Sequence, residues 1–569
     1  GGLEKTAATA TALPATGQPF PNFVRVTMTK SAPNGNDTQA IVPIPAAISK
    51  GDTLRVTMYV RGKKPGGAAA EANLYIIKNA PPWTNNGTTR LQAVPGKPTE
   101  WRRVSLAFTA VDDYAAGETA VCVHLAYGAQ TFDIGGLTVT NYGGTATEQD
   151  ILERDAIEAP TRTVTIAVDR KVVRQTMTGF GGNFVSFGYG TASDPVDKYI
   201  TKNLRVDHAR VGIVLRDFLK DDGTLDRSKP LLGGVFDLMK QMQTRKTPLV
   251  ASVWNLPNSY VQNPDAENQR RIKPEKRDAV ISTLTQWLTI ARDEYGVTVP
   301  YVSFNEADGG YSILLPPDDA RYFVINGGKA FAKAGLKTKW LLGDTANGGG
   351  FPAYANAILS DPATLPYLGA ASFHGWDSLS ASDDSYRAIA TLAKKHNKPV
   401  WCLEAGYDAQ LWQKQPSPFG TWDNALKIAQ SYARCITLAE ASVIDYWQYR
   451  GDYPLVGGKD ATEPFPAYRV IEMYTKAFAP GTKIVTTMGG ADGVYTVAGL
   501  APTTGKLCVL IVNTGGAAKV TLTGGSPGAK YAASNRARNR VATPSAITDK
   551  AGRTALYLTP RSVTMLTEQ

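Results

Sequence analysis

Pro399-Val400-Trp401-Cys402-Leu403-Glu404-Ala405-Gly406 is a short apolar run that ends on a carboxylate. Bounded by Pro399 and Gly406, it predicts a strand buried on both faces, as in a parallel sheet. Such a strand has no structural need for a charge at its end, so Glu404 is a candidate functional group. Tyr301-Val302-Ser303-Phe304 runs in the same way into Asn305-Glu306, 98 positions upstream of Glu404.

Six further apolar runs lie between residues 179 and 478, at 179–184, 209–213, 248–254, 340–343, 370–374 and 443–447. Stretches of helical spacing separate them, such as Leu232, Val235, Leu238, Met239 and Met242, or Val280, Thr283, Leu284, Trp287, Leu288 and Ala291. Eight strands alternating with helices over roughly 300 residues predict a (β/α)8 TIM barrel. A doubly wound open sheet is the competing architecture. It ordinarily brings a dinucleotide or phosphate loop, and neither G-x-G-x-x-G nor G-x-x-x-x-G-K-[ST] opens a helix here.

In such a barrel the carboxyl ends of the strands converge on one face. Glu306 then ends the fourth strand and Glu404 the seventh, three βα units apart. A facing pair of carboxyls suits glycosidic bond cleavage: one protonates the leaving oxygen, and the other attacks the anomeric carbon or activates water. The amide of Asn305 is placed to hydrogen-bond a sugar 2-hydroxyl. Arg210, a charge inside an apolar strand, is expected beside Glu404. His374 is expected to orient the nucleophile or touch substrate, a satisfied structural histidine being the alternative, and Trp254 and Trp447 to floor a sugar subsite, with packing at the barrel rim as the alternative.

The flanks read differently. Residues 1–20 form a lead-in, and 21–142 contain only alternating strands, which predicts a β-sandwich. Residues 143–161 read as an acidic linker, 162–178 as strand joining a C-terminal β-sandwich, 179–478 as the barrel and 479–569 as that terminal sandwich. The whole is a multidomain chain of 569 residues.

Composition narrows the function classes. The net charge of +11 comes without a long Lys/Arg block, so nucleic-acid binding has no motif behind it. Cys122, Cys402, Cys435 and Cys508 lack close spacing and read as free buried thiols. The four histidines, His124, His208, His374 and His396, form no H-E-x-x-H, so no metal and no cofactor is expected; G-x-S-x-G is also absent. No apolar run is long enough to span a membrane. The N-terminus has no basic segment followed by an apolar one, so any secretion signal has been removed or was never there.

Two resemblances follow from these residues. Ser49-Lys50-Gly51-Asp52-Thr53 leading into Tyr59-Val60-Arg61-Gly62, with Thr99-Glu100-Trp101-Arg102-Arg103-Val104, resembles the jelly-roll carbohydrate-binding modules of polysaccharide-degrading enzymes. Such modules hold sugars on exposed aromatics, which implies Trp83, Tyr75 and Trp101 as an ancillary sugar site.

From residue 179 onward the chain resembles clan A retaining glycoside hydrolases, closest to glycoside hydrolase family 30. The matching pieces are Gly179-Phe180-Gly181-Gly182-Asn183-Phe184, Val253-Trp254-Asn255-Leu256-Pro257, Phe304-Asn305-Glu306-Ala307-Asp308, Phe373-His374-Gly375-Trp376, Leu403-Glu404-Ala405-Gly406 and Phe478-Ala479-Pro480-Gly481-Thr482.

The second resemblance implies Glu306 as acid/base, Glu404 as nucleophile and retention through a glycosyl-enzyme intermediate. It also implies a secreted or periplasmic enzyme acting on a β-linked polysaccharide or oligosaccharide. Asn255-Leu256-Pro257 stands where the family has Ser-Pro-Pro, and Trp376 where it has Tyr, so the hydroxyl that meets the nucleophile is missing or supplied elsewhere. The non-enzymatic alternative is a carbohydrate-binding protein on a degenerate barrel.

Overall fold

The structure is a computed structural model that describes residues 7–569 except 33, 95–96, 160, 185–193, 267–268, 310–312, 459, 492, 539 and 543–545. The eight expected strands close into one parallel barrel. They are β1 (Gly179–Asn183), β2 (His208–Val214), β3 (Leu249–Trp254), β4 (Tyr301–Phe304), β5 (Lys339–Leu341), β6 (Leu368–His374), β7 (Val400–Ala405) and β8 (Ala441–Tyr446).

Closure is made by β1 against β8, with Gly179 opposite Val443, and this pairing excludes an open sheet. Close approach of β1 to its surroundings requires glycine. A Cβ on Gly181 would lie 1.8 Å from the His208 carbonyl oxygen, and one on Gly182 would lie 2.4 Å from the Tyr449 ring. The register then sets Asn183 opposite Arg210 and His374 opposite Glu404, with Asn183, His374 and Glu404 at or next to the carboxyl ends of their strands and Arg210 inside its own.

Helices wrap the barrel with their apolar stripes inward. In Arg277–Asp293 the buried positions include Val280, Leu284, Trp287, Leu288 and Ala291. Two of the helices, Trp422–Thr437 and Pro466–Ala477, also face the C-terminal sheet. Their buried residues join Val497, Leu510 and Val512 of that sheet in the same apolar core as the barrel. Barrel and sheet are thus packed through one interior.

That sheet has ten strands and includes Arg162–Thr176 from before the barrel. This strand pairs antiparallel with Lys483–Gly489 and parallel with Ala518–Thr523. A second core, built on Val164, Ile166, Leu507, Val509, Val520 and Leu566, fills the sheet's interior.

The N-terminal part is two antiparallel sheets, one of five strands and one of four. Val56, Met58 and Val60 of Thr53–Lys63 face Leu74 and Ile76 of Glu71–Lys78 across its core. Two boundaries differ from the sequence reading. Thr9–Pro14, within the expected lead-in, is an edge strand paired with Asn22–Met28, because edge pairing uses backbone bonds that small Ala and Thr residues supply as well as large ones.

The expected linker contains a helix, Glu148–Glu158, started by a reciprocal cap in which Thr147 Oγ accepts from the Asp150 amide and the Asp150 carboxylate accepts from the Thr147 amide. Its acidic residues are tethers. Asp155 pairs with Arg55 and Arg103 of the N-terminal sandwich, while Asp150 and Glu153 pair with Arg538 and Arg561 of the C-terminal sheet.

The N-terminal sandwich is also fixed to the barrel. Arg90 bridges Glu71 at 2.6 Å and Asp383 at 2.7 Å, and Arg434 donates to the same Asp383 oxygen at 2.6 Å. All four cysteines are free and buried. Among the described residues no helix is long and apolar enough to cross a membrane.

Candidate active site

Glu306 and Asp344 follow β4 and β5, and both have φ of 45°. A left-handed backbone at a non-glycine residue costs on the order of 1–3 kcal/mol and persists where the surroundings hold it. Here it turns two carboxylates into the barrel mouth. Glu404 is the fifth residue of β7 and is 2% exposed, so its position is set by the sheet itself.

Arg210, fully buried on β2, organises the floor. Its Nη1 donates to Asn183 Oδ1 and to Glu404 Oε1, both at 2.7 Å. Its Nη2 donates to Ser252 Oγ (2.9 Å), Asn305 Oδ1 (2.7 Å) and Asp344 Oδ2 (2.9 Å). The planar fork of an arginine meets this many acceptors; an ammonium group does not.

His374 lies between three carboxylates. Nδ1 is 3.1 Å from Glu404 Oε2 and 3.5 Å from Glu306 Oε1, and Nε2 is 3.4 Å from Asp344 Oδ1. Burial disfavours the imidazolium, but the Glu404 and Asp344 charges outweigh it and hold the His374 pKa well above its ordinary value. Burial likewise opposes ionisation of Asp344, and Arg210 and His374 overcome it, holding that carboxyl well below the usual carboxylate range.

Glu306 goes the other way. Burial pushes its pKa up, His374 pulls against this, and the Glu404 charge adds to the rise. With Glu306 protonated, Arg210 and His374 balance Glu404 and Asp344, two cations against two anions. Burial and the Glu404 charge thus both favour the protonated form of Glu306.

One oxygen of Glu306, one of Glu404 and a ring nitrogen of His374 lie within 4.8 Å of one another. These three residues are also a geometric candidate for a metal ion. The raised His374 pKa and the adjacent Arg210 place positive charge there already, so the group suits an ionised carboxylate better than a further cation.

The aromatic residues form one wall. Trp254 and Trp447 stack at 5.6 Å with their planes 20° apart, and Trp376, Leu411, Phe419 and Tyr453 pack with them. The indole N–H of Trp376 donates to Glu404 Oε2 at 3.2 Å. An indole N–H thus supplies the contact to Glu404 for which an aromatic hydroxyl was expected to be missing or supplied elsewhere. Asn305 Nδ2 is buried and has no acceptor among the described residues, which leaves an amide donor for a substrate hydroxyl.

All the expected barrel residues therefore meet at one site: Glu306, Glu404, Asn305, Arg210, His374, Trp376, Trp254 and Trp447. The expected ancillary aromatics belong to the N-terminal sandwich. Tyr75 is half-buried with its ring 4.3 Å from that of His124, and Trp101 is half-buried under Arg61, whose guanidinium sits 4.4 Å from its ring centre. Trp83 is 52% exposed on a loop. Sequence reasoning missed Asp344, although Trp340-Leu341-Leu342-Gly343-Asp344 is again an apolar run ending on a carboxylate.

Both glutamates open into a groove of about 2490 Å³. Trp376, Trp412 and Trp447 line it from the barrel, Thr88 and Trp101 from the N-terminal sandwich, and Tyr495 from the C-terminal sheet.

Neither a family model nor a curated protein matches the chain. Solved structures do match. A family GH30 endoxylanase from Clostridium papyrosolvens superimposes with a TM-score of 0.58 at 17% identity, covering 71% of this chain and 100% of that one. A GH30 subfamily 8 xylanase from Clostridium acetobutylicum gives 0.57 at 18% identity, over 72% of this chain and 99% of that one. The catalytic domain of a GH30 xylanase from Talaromyces cellulolyticus gives 0.56 at 18%, over 71% and 100%. What is shared at these identities is the fold, a (β/α)8 barrel with flanking β structure as in glycoside hydrolase family 30.

Proposed function

We propose that the chain is a retaining glycoside hydrolase that cleaves β-glycosidic bonds in a polysaccharide or oligosaccharide. The observation that carries this reading is the pair Glu306 and Glu404, with oxygens within 4.8 Å of each other and unlike electrostatic surroundings, in an open groove. Retaining enzymes keep their carboxyl groups about 5–5.5 Å apart, whereas inverting ones need about 6.5–9.5 Å to admit a water. Glu306 protonates the leaving oxygen, and Glu404 attacks the anomeric carbon. Water then hydrolyses the glycosyl-enzyme with Glu306 as base.

Arg210 and the Trp376 N–H aim Glu404, and Asn305 donates to the 2-hydroxyl, a bond that strengthens as the transition state forms. A polymeric substrate does not cross a membrane, so a secreted or periplasmic protein fits this activity. The solved neighbours include xylanases and an endo-β1,6-glucanase, which makes xylan and β-1,6-glucan the first substrates to try.

The first-formed anomer, followed by time-resolved NMR, is expected to keep the configuration of the substrate. An inverted product would overturn the mechanism, and glycan binding without any turnover would favour a carbohydrate-binding protein instead.

The pH dependence follows from Glu306. The acid must carry its proton, so activity is expected to fall as pH rises through the raised Glu306 pKa. Glu306→Gln should remove that alkaline limb for an aryl glycoside with a good leaving group, which needs no acid, and should lower kcat on natural glycans by about 10²–10⁴-fold. An unmoved alkaline limb would assign it to another group.

A further inference from the structure

Trp412 stands in the groove with 49% of its surface exposed. A lone exposed aromatic is ordinary on a protein surface. This one is mounted beside the site. The preceding residue, Leu411, is 4% exposed and packs in the wall formed by Trp254, Trp376 and Trp447.

The loop that carries it is tied down. Tyr453 Oη donates to the Asp408 carbonyl at 3.1 Å, the Gln410 amide to Asp408 Oδ1 at 3.0 Å and the Lys414 amide to the Leu411 carbonyl at 3.2 Å. The backbone that carries the indole is therefore fixed beside the groove, which lowers the cost of ordering the loop on binding.

The same groove is lined by two edge strands of the N-terminal sandwich, Asn85–Gln92 and Arg102–Thr109. They present Thr88, and Trp101 just ahead of the second strand. The Arg90 bridge to Asp383 fixes this side against the barrel, so this wall does not drift. The solved neighbours cover about 71–72% of the chain, and the match does not take in the whole of it.

We propose that Trp412 is a sugar-stacking platform outside the catalytic subsite, and that the N-terminal sandwich forms a second wall of the same groove. This rests on the glycoside hydrolase reading and adds a substrate class to it: a glycan chain of several units, held across two domains. The C–H face of a pyranose packs on the face of an indole, whose π cloud favours the slightly positive hydrogens. Binding energy gained there, away from the scissile bond, is available to the transition state, so turnover rises with chain length.

The test compares kcat/KM on a hexasaccharide with kcat/KM on an aryl glycoside of the same sugar, using xylan, β-1,6-glucan and β-1,4-glucan fragments. For Trp412→Ala the ratio is expected to fall about tenfold, and Trp412→Phe should restore most of it. Thr88→Trp, which narrows the groove from the sandwich side, should lower the same ratio.

A ratio equal to that of the wild type in Trp412→Ala overturns the platform, as does an equal loss on both substrates. A ratio unchanged in Thr88→Trp removes the sandwich from the groove. Failure of the unmodified protein to cleave any of these substrates, or others in a broad glycan panel, overturns the hydrolase reading itself.

Discussion

Glu404→Gln is expected to lower turnover on the order of 10⁴-fold or more while the protein stays folded. The amide keeps the shape of the carboxylate but cannot form the glycosyl bond, so the loss falls on kcat and not on substrate affinity. The substitution also removes one of two anions from a site that holds Arg210 and His374. His374 owes its raised pKa largely to Glu404, so in the variant it should release its proton at lower pH. That release relieves the excess positive charge and keeps the stability loss to about 1–3 kcal/mol. Two measurements check this: steady-state kinetics with thermal unfolding, and NMR titration of the His374 ring. Turnover close to that of the wild type would remove Glu404 from the mechanism, and an unshifted His374 titration would show that the charge balance is set elsewhere.

The barrel was legible because parallel strands buried on both faces cannot alternate, and their apolar runs stand out against the helical spacing between them. The facing pair of glutamates was legible for the same reason, since Glu306 and Glu404 are charges where burial otherwise excludes them. Asp344 obeys the same rule. It was missed because the run was read as ending on Gly343, one residue short of the carboxylate.

The boundary errors have a different origin. The helix Glu148–Glu158 looked like a linker because few of its residues are apolar; it is held by ion pairs to two other domains, whose partners, such as Arg103 and Arg538, lie far away in the sequence. Trp376 shows what a family pattern hides. Read as a departure, it suggested a lost hydroxyl, whereas the ring delivers its N–H to the same carboxylate. The sequence had no means of giving the direction of that N–H, because it depends on the packing of Tyr453 and Phe419 behind the indole.

Arg210→Met is expected to destabilise the barrel by about 3–5 kcal/mol, the range found when one partner of a buried ion pair is removed. The methionine fills the space but strands Glu404 and Asp344, both buried, with His374 as their remaining cation.

The pH dependence gives the prediction its sign. In the wild type the Asp344 pKa is depressed, so its contribution is fully present above the unfolded carboxylate pKa of about 3.9 and is lost as pH falls through the lower folded value. Without Arg210, burial dominates and the Asp344 pKa rises, so protonation relieves the variant before it harms the wild type. The stability gap should therefore be widest near neutral pH and shrink on acidification below about pH 5.

Arg210→Lys separates charge from geometry. It keeps the cation, but three N–H donors face five acceptors, so either Asn305 or Glu404 loses its tether and kcat falls more than stability does. Urea unfolding at several pH values, with kinetics on the same samples, reads both quantities. An Arg210→Met protein as stable as the wild type at pH 7, or a gap that widens as pH falls, would mean that the guanidinium does not hold these carboxylates in solution.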